Sequence, residues 1–106
     1  MIARLAYFDG LTQDQRAAQD DNIARRFRAA ITSQPGMVAL LYLENEEGTR
    51  MSLSVWDSLE ALKEGGARAN ATPLLPGQRG EDIPSPTRFE VWEVKDVFVS
   101  REAPRE

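Results

Sequence analysis

The stretch MSLSVWDSLEALKE, residues 51–64, decides the fold: a period-two strand ends on Trp56 and passes through Asp57-Ser58 directly into an amphipathic helix. Along the strand Met51, Leu53 and Val55 fall on one face and Ser52, Ser54 and Trp56 on the other, because successive strand side chains alternate. Asp57 or Ser58 can cap the helix that follows, Glu60 lies near its positive end, and Leu59 and Leu62 share a face. Gly65-Gly66 predicts a break or kink midway, since glycine costs about 1 kcal/mol relative to alanine inside a helix.

Toward the N-terminus, Ile2 to Phe8 is apolar apart from Arg4 and rich in aromatics, with Gly10 as punctuation, which favours a strand. Thr12-Gln13-Asp14-Gln15 has the form of a capping box, so a long helix is expected after it. Its apolar positions Ala17, Ile23, Ala24, Phe27, Ala30 and Ile31 recur at three- and four-residue spacings, a narrow stripe of mostly small side chains. Pro35-Gly36 ends that helix, and Met37 to Leu43 is a continuous apolar run of strand length. The polar turn Glu44-Asn45-Glu46-Glu47-Gly48 then predicts an antiparallel hairpin with the strand from Arg50 to Trp56.

Beyond the second helix, the segment from Thr72 to Thr87 holds Pro73, Pro76, Pro84 and Pro86, too long and proline-rich for a simple connection. It reads as a lid or a partner contact. A last strand is expected from Arg88 to Ser100, long and interrupted at Asp96, within one domain spanning residues 1–99 and followed by a mobile tail, 100–106. The order β-α-β-β-α-β is the split βαβ arrangement, a ferredoxin-like α+β fold with a four-stranded antiparallel sheet and both helices on one face.

Composition narrows the chemistry. With 42% hydrophobic and 28% charged residues the chain has an ordinary globular composition. Its longest apolar run is far below the roughly 18 to 20 residues of a spanning helix, so no membrane segment is expected, and cytoplasmic residence is the default. There is no histidine and no cysteine in 106 residues. Hydrolytic triads, thiolate nucleophiles, disulfides and histidine- or sulfur-based metal centres are therefore excluded, and no metal site is expected. The net charge of −4 repels polyanions, so nucleic acid is not an expected partner. The Arg25, Arg26, Arg28 cluster reads as a solvated helix face, with Asp21 and Arg25 at pairing distance along the helix.

A sheet covered by helices on one side leaves apolar residues on the other in need of a partner. Both faces carry large side chains here: Phe89 and Val91 oppose Glu90, Trp92 and Val94 on the last strand. Sheet-against-sheet homodimerisation is the expected solution. On the Ser52, Ser54, Trp56 face, two small hydroxyls leave space beneath an indole, a candidate cavity; the alternative is that Trp56 is a core residue whose N–H meets a backbone carbonyl.

The element order, MIAR opening the first strand, Pro35-Gly36-Met37 before the second, and SVWDSLEAL together resemble the antibiotic-biosynthesis-monooxygenase superfamily of dimeric α/β barrels, over about residues 1–99. The resemblance implies a homodimer whose sheets close a barrel. One branch of that family oxidises polyaromatic quinols with molecular oxygen and without metal or flavin; another degrades haem. The missing histidine argues against haem, because that branch takes its proximal ligand from a histidine on the second helix. For the cofactor-free branch the resemblance makes Trp56 a pocket tryptophan and places Ser52 where quinol-oxidising members carry an asparagine, so Trp56 and Ser52 are the catalytic candidates. Arg4 could stabilise a phenolate, or snorkel from an edge strand. Ser54 belongs to the same face, Asn70 is either a ligand group or a helix C-cap, and Trp92 either lines the cavity or packs a dimer.

Three readings follow. The first is a cofactor-independent monooxygenase acting on an aromatic or quinol-type small molecule, with molecular oxygen as co-substrate. The second is a non-catalytic homodimer that binds a small apolar or aromatic ligand. The third has no pocket, and an opening of a few hundred Å³ beside Trp56 separates it from the other two.

Overall fold

The computed structural model describes residues 1–100; Ser100 apart, the expected tail lies outside the described residues. Four strands, β1 (Ile2–Phe8), β2 (Met37–Glu44), β3 (Arg50–Trp56) and β4 (Arg88–Glu93), form one antiparallel sheet in the order β2-β3-β1-β4. This is the ferredoxin-like arrangement expected from the order of elements.

Between β1 and β2 the chain runs through α1 (Gln13–Asn22), a π-helical turn (Ile23–Phe27) and α2 (Arg28–Thr32). The capping box forms: Thr12 Oγ1 accepts from the Gln15 N–H at 3.1 Å, and Gln15 Oε1 accepts from the Thr12 N–H at 2.9 Å. The π turn, in which the Arg28 N–H donates to Ile23 O, carries no local signature in the sequence. Pro35-Gly36 ends the rod as expected. Gly36 has φ +83°, and a Cβ there would lie 2.6 Å from the Asp57 carboxylate and from Ala61 Cβ, so only glycine suits both the turn and the close approach.

Ser58, not Asp57, caps α3 (Leu59–Ala71), accepting from the Ala61 N–H at 3.1 Å. Contrary to the expected break, α3 continues through Gly65-Gly66. A Cβ on Gly65 would fall 2.5 Å from Trp56 Cζ3. The glycine therefore lets the indole press against the helix backbone, and the helix recovers in packing what it loses in propensity.

The last strand is shorter than expected. β1 begins at Ile2, opposite Glu93. After the Val94 N–H donates to Met1 O at 2.9 Å, the chain has no strand left to pair with, and residues 94–100 have no regular structure.

Helices cover one face only. The buried cluster Ile31, Trp56, Leu62 and Ala69, with Ile2, Phe27 and Leu40 packed against it, fixes that side. By alternation and register the other face carries Leu5, Tyr7, Leu41, Leu43, Met51, Leu53, Val55 and Trp92. It is open: Leu41 is 46% and Trp92 58% exposed. Among the described residues no helix is long and apolar enough to cross a membrane.

Candidate functional site

Cross-strand register builds a trough on the helix-covered face. One row across the sheet reads Leu40, Ser54, Arg4, Val91; the next reads Tyr42, Ser52, Ala6, Phe89. Ser52, Ser54 and Ala6 are small and central, with larger side chains on both flanks, so the helices cannot close fully onto the sheet. Phe27, Ile31 and Leu62 roof a cavity of about 400 Å³ that Trp56, Ser52, Ser54 and Arg4 line from below. A Cβ on Gly66 would meet nothing within 4 Å, so the helix backbone itself is open to this space.

Trp56 is wholly buried, and its indole N–H donates to Ser54 Oγ at 3.0 Å. The expected carbonyl partner is thus replaced by a neighbouring hydroxyl. Ser54 accepts through its oxygen and keeps its own O–H as a donor.

Arg4 is not on an edge: β1 is an interior strand, flanked by β3 and β4. The edge-strand placement expected for it does not hold, and its side chain is half-buried. Its guanidinium lies 5.0 Å from the Phe89 ring centroid, a cation–π distance. Among the described residues it pairs with no carboxylate. Burial lowers its pKa from the usual arginine value, yet a guanidinium remains charged at neutral pH.

A second space of about 580 Å³ adjoins the first, sharing Arg4, Phe27, Tyr42, Ser52 and Asn70. Its far wall is the proline-rich segment, through Pro73, Leu74, Ile83 and Pro84, so that loop borders the site. Arg26 anchors the start of the loop: Nε donates to Thr72 O at 3.1 Å and Pro73 O at 3.2 Å, Nη2 to Asn70 O at 3.3 Å, and Nη1 to Asn22 Oδ1 at 3.0 Å. Arg26 is therefore no part of a solvated face, whereas Arg25 does pair with Asp21 at 3.0 Å. Farther along, Gln78 Nε2 donates to Asp21 Oδ2 at 3.1 Å.

Of the residues singled out from sequence, Trp56, Ser52, Ser54, Arg4 and Asn70 meet at this cavity. Asn70 lies in the last turn of α3, whose C-cap is Thr72. Trp92 does not join them: it pairs with Ala3, which puts it on the open face, and Phe89 and Val91 line the cavity in its place. Tyr42 was missed. Counting back from the Glu44–Arg50 pair at the hairpin turn places it opposite Ser52, a signal that turn length alone could have given. Burial raises the Tyr42 pKa above its ordinary value, so it stays a protonated donor.

The lining is aromatic and aliphatic with a few convergent polar groups, the character of a small-molecule site. No protein-family model matches this sequence, and no curated protein matches it. Solved structures do resemble it. The MhuD R26S mutant with two manganese protoporphyrin IX molecules bound per active site superposes with a TM-score of 0.71 at 13% identity, covering 94% of this chain and 100% of that one. SnoaB, a cofactor-independent oxygenase from Streptomyces nogalater, gives 0.60 at 15% identity over 93% and 94%. The monooxygenase from the ActVA-Orf6 gene of Streptomyces coelicolor, in complex with nanaomycin D, gives 0.57 at 13% identity over 93% and 90%. The chain shares the fold of these three structures.

Proposed function

We propose that the chain is a cofactor-independent monooxygenase that oxidises a phenolic or quinol-type aromatic with molecular oxygen, acting as a cytoplasmic homodimer. The observation that carries the reading is the cavity that brings an indole wall, two serine hydroxyls and an uncompensated guanidinium together. SnoaB and ActVA-Orf6, described as oxygenase and monooxygenase, share the fold.

The substrate ring lies against Trp56, and its oxygen accepts from Ser52 and Ser54. Arg4 stabilises the phenolate and so lowers the cost of deprotonation. In the trough the anion passes one electron to oxygen, the radical pair joins at a ring carbon as a peroxide, and loss of water leaves a quinone carbonyl. One oxygen atom enters the product and the other leaves as water with the phenol proton and the ring hydrogen, so no external reductant is consumed. Tyr42 can donate to the peroxide oxygen.

An axially ligated porphyrin does not fit the donor set. The chain has no imidazole or thiolate, and the cavity phenol, Tyr42, has its pKa moved away from the phenolate form.

One observation favours a second reading, a homodimeric binding protein without turnover: no carboxylate lines either space around Arg4 among the described residues, so the protein supplies no evident base. Oxygen-electrode assays with a panel of naphthols, anthrones and quinols separate the two. The enzyme reading expects one oxygen consumed per substrate, and a fall of about 10- to 100-fold in Ser52→Ala, the equivalent of one lost hydrogen bond. Saturable binding with no oxygen uptake from any compound overturns it in favour of the binding protein.

Dimerisation is supported by the open apolar face and by Val97-Phe98-Val99, where Phe98 is 88% exposed. Contiguous apolar surface on this scale marks an interface.

A further inference from the structure

Among the described residues the arginines are mostly compensated. Arg16, Arg25, Arg50, Arg68, Arg79 and Arg88 each face a carboxylate, and Arg26 is held by carbonyls. Arg28 faces no carboxylate but is exposed, where a lone charge is well solvated. Arg4 alone of these combines partial burial on an interior strand with no acidic partner among the described residues. A cation taken out of water without a counterion is costly. The imbalance is also local to the cavity: Lys63 is the other charged residue lining the space beside Trp56, and Arg26 the other lining the adjoining one. All three are cations in a chain whose net charge is −4.

The rest of the space fixes the shape of what completes it. Beyond the guanidinium lie Trp56, Phe27 and Leu62, and the uncovered backbone at Gly66 leaves room for a flat body along the helix. We propose that this is an anion-selective site, whose ligand joins an aromatic body of two or more rings to an acidic oxygen group, such as a carboxylate, seated on Arg4. The inference rests on the preceding reading in assigning a ligand to the same cavity, and it defines the class of that ligand as a permanent anion. Arg4 then holds the acidic group through paired N–H donors, and its charge still lies in the cavity where the phenolate forms. The Phe89 ring, on the guanidinium, holds it in place.

The test is calorimetric titration of the whole chain at neutral pH with naphthoate and with naphthamide, which share size and ring and differ in charge. Wild type should bind naphthoate about tenfold or more tightly than naphthamide, the worth of one charge-assisted pair. Arg4→Met should lose that preference, with a cooperative thermal unfolding transition showing that the variant is folded; Arg4→Lys should keep part of it. Equal affinities in wild type, no binding of either probe, or an undiminished preference in Arg4→Met each overturn the proposal. Oxygen uptake with naphthols, anthrones and quinols is the independent arm. Preferential naphthoate binding with no uptake leaves the anion site standing and removes the oxygenase; uptake with indifferent binding does the reverse.

Discussion

Adjacent glycines in α3 meet opposite surroundings. A methyl on Gly65 would intrude on the Trp56 ring at 2.5 and 2.7 Å, whereas one on Gly66 would enter open cavity. Gly65→Ala should therefore destabilise by about 1–3 kcal/mol through overpacking, while Gly66→Ala should stabilise by up to about 1 kcal/mol through helix propensity and narrow the cavity. Urea unfolding of the two variants checks the opposite signs. The pair also shows where sequence reading stops at this scale. Glycine's helix penalty is local and could be read, but the indole that makes Gly65 necessary comes from β3. Trp56 as a cavity wall was legible because alternation and the following helix cap are local. For Trp92 the alternation was legible and the face was not, since its partner Ala3 lies about ninety positions away in the chain.

At the level of elements, the β2–β3 hairpin is tied to α1 by a chain of charges. Arg16 Nη1 donates to Glu44 Oε1 at 2.6 Å, Arg50 Nε to the same oxygen at 2.8 Å, and Arg50 Nη1 to Asp20 Oδ1 at 2.7 Å. Hydrogen bonds from Arg50 and Arg16 hold the Glu44 pKa below its ordinary value of 4.5. Because the folded-state value is the depressed one, this contribution is complete above about pH 4.5 and is lost as pH falls through the lower folded-state value. Glu44→Gln should accordingly flatten the acid limb of stability against pH below 4.5, read from thermal unfolding in a pH series; an unchanged acid limb would place the tie elsewhere. The hairpin was legible because its turn residues are contiguous, as was the first helix with its capping box. The π turn and the early end of β4 were not, the latter because a strand ends where its neighbour does, at Ile2.

For the whole molecule, the order of six elements was enough to give the sheet and the side its helices take, and that one-sidedness makes the open face a prediction. Sedimentation velocity at micromolar concentration should show twice the monomer mass, and Leu53→Glu, which puts a charge on an interior strand of that face, between Leu41 and Leu5, should return the species to the monomer. A monomeric wild type would mean that the face is covered by something other than a second copy.

The two tryptophans occupy opposite sides of this sheet, Trp56 buried with its N–H on Ser54 and Trp92 facing solvent. Their fluorescence must differ accordingly, a blue-shifted emission from the buried indole beside a red-shifted one from the exposed indole. The molecule thus carries separate optical channels for its two surfaces: filling of the cleft perturbs the blue component, and subunit association perturbs the red. A single emission spectrum can then follow ligand entry and assembly at once, in the native chain and without an added label.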